Sequence, residues 1–211
     1  MLRIPAALLC LFAICGWASR AEAKQKPDKT LNVTDGEITA AAEGRLEVRG
    51  KEMRATLKSE SLQNITVRFT YLGPTKEVSR LGSGEIRHQF GLKLKAQDTC
   101  NLIYVMWHFD ENHNRVAVSV KYNPGQETHQ QCLDHGYINN IPADYKQAAP
   151  LVRAGEPHAL AASLDGRKLT VMADNQVVWE GTLPEIVLSF RGPVGFRSDN
   201  AHVVFDYTIG K

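Results

Sequence analysis

The chain has 211 residues, the size of one domain with a full core once a leader is removed. Its 25 Lys and Arg stand against 23 Asp and Glu, a formal charge of +2. With no basic run, that balance gives no electrostatic footprint for nucleic acid.

The N-terminus reads as a targeting segment. Arg3 supplies a positive charge, Ala6 to Trp17 is a short apolar run, and Ala21-Glu22-Ala23 offers small residues for a signal peptidase. The run is too short to span a bilayer comfortably, so residues 1–23 are expected to be a cleaved secretory signal and the rest to be free of the membrane. Cleavage takes away Cys10 and Cys15 with Arg3, Arg20 and Glu22, leaving a charge of +1 and the pair Cys100 and Cys132. An export signal with one cysteine pair predicts a Cys100–Cys132 disulfide in an oxidising compartment, secreted or periplasmic.

Residues 24–44 are polar and contain Pro27 and Gly36. They read as an exposed lead-in, partly disordered, before a domain at 45–211. Asn32-Val-Thr34 and Asn64-Ile-Thr66 fit glycosylation sequons. From Leu46 the pattern turns to period two. Ile65, Val67, Phe69 and Tyr71 alternate with polar residues, a half-buried strand. Glu77 to Glu85 reads as a loop. Phe90, Leu92 and Leu94 alternate with Gly91 and Lys93, and Leu102 to Phe109 is the most apolar strand. A polar turn at 110–114 leads to Val116, Val118 and Val120, so these two runs read as a central hairpin. Residues 126–156 show little periodicity, a long excursion that Cys132 can staple to Cys100. From His158 a strand meander follows, with Asp165-Gly166 and Asp174-Asn175 expected as tight hairpin turns. No stretch sustains a helical period. About ten short strands with polar turns predict an all-β fold, two stacked antiparallel sheets.

The block H-x-L-x-x-x-L-D-G-x-x-L-x-V-x-A-D from His158, then V-W-x-G, G-P-V-G-F-R-S-D-N and F-D-Y, resembles the C-terminal half of concanavalin A-like lectin/glucanase domains. The stretch from Tyr104 to Gln126 also resembles exported bacterial proteins of this type with no assigned activity. The likeness implies a two-sheet jelly-roll sandwich and a groove on its concave sheet where such domains often hold glycans. Retaining glucanases of the superfamily carry E-x-D-x-x-E, whose spacing puts two carboxylates on one strand face. That motif is absent here, which argues against glucanase chemistry of that kind.

Several residues are candidates for a site. His129-x-x-Cys132-x-x-His135 has a spacing zinc could use, but the expected disulfide removes the thiol and no metal site is assigned. Trp107 travels with Ile103, Val105 and Phe109, which reads as core, and Trp179 reads the same way. The opposite faces of the central strands are polar. Gln89, Tyr104, His108 and Lys121 are the candidate ligand-binding residues if these faces meet. Together they could grip a hydroxyl-rich or anionic polymer. Arg197, Asp199 and Asn200 look like a site but read more simply as a turn. Oxygens there leave room for Ca²⁺ without the dense ligand loop it favours, and no cofactor is called for. The expected role is a secreted, non-catalytic carbohydrate-binding or accessory module. The alternatives are a polysaccharide lyase or hydrolase using Tyr104, His108 and Lys121, and a protein-interaction module.

Overall fold

The computed structural model describes residues 30–58, 64–109 and 114–210. The expected signal segment 1–23 and positions 110–113 of the expected polar turn lie outside them. In chain order the described strands are β1 (Leu31–Gly36), β2 (Thr39–Ala40), β3 (Leu46–Val48), β4 (Glu52–Leu57) and β5 (Asn64–Pro74). The central group is β6 (Gln89–Leu94), β7 (Leu102–His108), β8 (Arg115–Lys121), β9 (Tyr137–Ile138) and β10 (Tyr145–Lys146). The closing group is β11 (Pro157–Asp165), β12 (Lys168–Ala173), β13 (Gln176–Thr182), β14 (Gly195–Asp199) and β15 (Ala201–Gly210).

Two antiparallel sheets result. One has seven strands in the order β1-β4-β14-β6-β7-β8-β9, and the other eight in the order β10-β13-β12-β11-β5-β15-β3-β2. This is the two-sheet sandwich the alternation calls for. The side-chain period of two sends Phe90, Leu92 and Leu94 inward from β6, and Ile103, Val105 and Trp107 inward from β7. From the other sheet Phe69 meets them, its ring 5.3 Å from Phe90 and 5.7 Å from Trp107. Trp107 is thus core, and its indole N–H donates to Asn114 Oδ1 at 3.3 Å.

The last two strands enter the middle of both sheets. β14 lies between β4 and β6, and β15 between β5 and β3. This insertion carries Arg197 and Asp199 to the centre of the seven-stranded sheet.

Three details differ from the sequence reading. The sandwich begins at Leu31, inside the stretch 24–44 expected as lead-in, because β1 pairs with β4 and buries Leu31, while Ile38 is buried ahead of β2. The first meander turn is centred one residue later than Asp165-Gly166. Asp165 pairs with Lys168, so Gly166 and Arg167 form the turn, and Gly166 carries the positive φ of 57°. The second falls at Asp174-Asn175 as expected, with φ of 48° and 65°. Finally, the excursion at 126–156 holds one helical turn, His129–Cys132, and then β9 and β10. β9 is the edge of one sheet and β10 the edge of the other, so the chain here crosses the side of the sandwich. A segment that joins two edges has no single buried face, which is why it lacks periodicity.

Candidate functional site

The outward face of the seven-stranded sheet is built by register. Gln89 lies opposite His108, Gly91 opposite Met106, and Lys93 opposite Tyr104. Tyr104 in turn lies opposite Ser119, and Leu102 opposite Lys121. On the far side of β6, Asp199 pairs with Gln89 and Arg197 with Gly91. Alternation within each strand therefore sets Gln89, Lys93, Tyr104, His108, Lys121, Arg197 and Asp199 on one floor.

Two loops wall it. The chain from Thr75 to His88 is held by Asn200, whose φ of 53° turns its side chain back on the loop. Its amide donates to the carbonyls of Ser79 at 2.8 Å and Arg87 at 3.0 Å and accepts from Ser79 N–H at 2.7 Å. The opposite wall runs from Tyr122 to Tyr137. The disulfide Cys100–Cys132, with Cα atoms 5.9 Å apart, ties it to the head of β7. Asn123 adds to this by donating to the carbonyls of Cys100 at 3.2 Å and His135 at 3.0 Å. The sulfur of Cys132 is thereby unavailable to a metal between His129 and His135. Beneath this wall Leu102, Tyr104 and Met106 form a small apolar cluster with Ala96, against which Tyr137 packs.

The walls touch above the floor. A methyl group on Gly82 would lie 1.9 Å from Asp134 Oδ2. The contact divides the face into two cavities of about 540 and 550 Å³, both bordered by Gly82, Asp134, Tyr104, Tyr137 and Arg197. Gln89 and His108 line the first; Lys93, Arg54 and Lys121 line the second.

Electrostatics organise the floor around one buried carboxylate. Asp199 accepts from Arg54 at 2.6 Å, from Arg197 Nε at 2.7 Å and from the Gln89 amide. Burial opposes its charge, but Arg197 and Arg54 outweigh that and hold the carboxyl well below the usual carboxylate range. Arg197 is likewise charged against the cost of burial because Asp199 lies beside it, and its guanidinium sits 4.8 Å over the Tyr104 ring. Lys93 is 3 % exposed, and among the described residues no hydrogen bond or ion pair reaches its ammonium. Burial, then Arg54 and Arg197, push it down to about 8. Burial, then Arg87 and Arg115, push His108 down to about 4, so its imidazole is neutral at pH 7.

All four candidates from sequence thus lie on one face, with different parts to play. Gln89 is 2 % exposed; its amide nitrogen is spent on Asp199 and its Oε1 is buried without a partner. Lys121 donates to Leu133 O at 2.6 Å and lies 5.2 Å from the Tyr137 ring centroid, so it holds the wall. Tyr104 and His108 are four residues apart on one strand, about 13 Å by the strand rise, too far apart to act on one bond. Glu52 faces Asp199 across β4 and β14, but Asp199 is already neutralised by two arginines and offers no free acid or base.

Arg197 and Asp199 are the residues the sequence reading passed over in favour of a turn. Only Asn200 is in the turn; the other two are on strand β14. The signal was present in G-F-R-S-D, since Phe196 points into the core and forces Arg197 to the other face. Trp179 is buried as expected, yet it also borders the first cavity.

No protein-family model and no curated protein matches the sequence. The fold does have solved counterparts. A carbohydrate-binding module from Bacillus subtilis superposes with a TM-score of 0.57 at 12% identity, covering 85% of this chain and 93% of that one. The carbohydrate recognition domain of Emp46p, in its metal-free form, gives 0.52 at 13% identity over 89% and 92%. Winged bean acidic lectin, complexed with methyl-α-D-galactose, gives 0.50 at 10% identity over 89% and 96%. The chain therefore has the concanavalin A-like jelly-roll fold. Among the described residues no helix is long and apolar enough to cross a membrane.

Proposed function

We propose that this is an exported, non-catalytic carbohydrate-binding module whose ligand lies on the outward face of the seven-stranded sheet. One observation carries the reading: among the described residues Gln89 Oε1 is buried without a partner, and Lys93, 3 % exposed at the floor of the second cavity, has no hydrogen bond or ion pair to its ammonium. Buried polar groups are costly unless hydrogen-bonded, and sugar hydroxyls donate to the one and accept from the other. Tyr104 and Tyr137 add ring surface at the waist between the cavities. The solved proteins of like fold support the reading, two by name as carbohydrate binders and one by its bound methyl galactoside. The Cys100–Cys132 bond supports an oxidising compartment. The pairing of Asp199 with two arginines, and the spacing of Tyr104 from His108, favour binding over lyase or hydrolase work by these residues.

A glycan array with the wild type and Tyr104→Ala tests this. Wild type is expected to bind a subset of glycans and Tyr104→Ala, which removes the ring that Arg197 and Tyr137 rest on at the floor, to lose at least about tenfold at an unchanged fold by circular dichroism. No binding to any glycan would overturn the proposal and return the face to a protein partner.

A further inference from the structure

On the reading of this face as a glycan site, we infer that the cavity over Gln89 and His108 takes an acidic sugar unit, a hydroxyl-bearing ring carrying one anionic substituent. The charges around it are one-sided. Among the described residues Arg87, Arg115, Lys146 and Arg197 border it, against Asp134 as the one carboxylate. Arg197 is satisfied by Asp199, and Arg87 gives one nitrogen to Glu85 at 2.6 Å. No ion pair reaches Arg115 or Lys146 among the described residues, and Arg87 Nε is buried without a partner. The other cavity is balanced, with five carboxylates to five Lys and Arg side chains.

The two kinds of unmet demand sit side by side. Arginine forks prefer a planar or tetrahedral oxyanion. Gln89 Oε1 can only accept, because its amide nitrogen faces Asp199 and fixes its orientation. A neutral sugar answers Gln89 but leaves the cations to water. A simple anion does the reverse. A sugar with a carboxylate or sulfate group answers both, and neutral His108 offers it one further donor and one acceptor.

The test uses the full chain and an array of matched neutral, uronate and sulfated oligosaccharides, the uronates also as methyl esters. Acidic members are expected to bind at least about tenfold more tightly than their neutral counterparts, as a charge-assisted hydrogen bond would give. Uronate binding should fall to the neutral level on esterification. Arg115→Gln, on an exposed side chain, should lose that preference at unchanged melting temperature. Which acidic series binds identifies the substituent. Equal binding of neutral and acidic members overturns the acidic class and leaves the glycan site standing. A preference that survives Arg115→Gln with Lys146→Gln overturns the assignment to this cavity. Binding of no member overturns both.

Discussion

Lys93 places a cost on the fold at a single position. Its side chain is almost fully buried, and Arg54 and Arg197 repel its ammonium. Its folded-state value of about 8 lies below the ordinary 10.5. Between those values the unfolded chain holds a proton that the folded chain lacks, so raising the pH through this window stabilises the fold. Lys93→Met keeps the stem's volume and removes the charge. It is expected to stabilise the protein by about 1–3 kcal/mol at pH 7, a gain that shrinks between pH 8 and 10.5. Urea unfolding at pH 7, 9 and 10.5 measures this. A variant no more stable than wild type at pH 7 would mean the ammonium is not paying for its burial. Glycan binding through the second cavity should weaken in the same variant, which would make Lys93 a residue kept for its ligand at the expense of stability.

At the scale of elements, strands set the floor and loops set the walls, and the two were unequally legible. Alternation alone puts Gln89, Tyr104, His108 and Lys121 on faces opposite their apolar neighbours, and antiparallel pairing then brings those faces together. The walls obey no period. Asn200 holds Ser79 across 121 positions of sequence, and Gly82 meets Asp134 only because two loops converge in space. Arg197 was hidden for a related reason: G-F-R-S-D-N joins a strand to a turn, and the turn chemistry of Asp and Asn masks the strand. The wall at 122–137 has its own test. Cys100→Ala with Cys132→Ala is expected to cost roughly 3–4 kcal/mol by the chain-entropy account of closing such a loop. Amide exchange should quicken first in residues 122–138 while β6 and β7 stay protected. Equal loss of protection in β6 would show that the staple supports the sheet itself.

For the whole molecule, the sandwich was readable because each strand's pattern agrees with its place, from Phe69 and Phe90 facing each other to the Asp174-Asn175 turn. The order of strands was not readable, since nothing local in β14 says that it will lie between β4 and β6. That insertion decides the chemistry, because it delivers Arg197 to the floor. The meeting of Gly82 with Asp134 has a consequence in time. On the glycan reading, a ligand that fills both cavities crosses the waist where Gly82 meets Asp134, so its arrival and departure are expected to wait on the loops parting. Asp134→Ala removes the side chain from that passage. Association and dissociation rates are then both expected to rise for long oligosaccharides, with affinity changed far less, and to stay as they were for a monosaccharide that occupies one cavity. Surface plasmon resonance with the two ligand lengths separates these outcomes; equal rates for the long ligand in variant and wild type would mean that the walls do not control its passage.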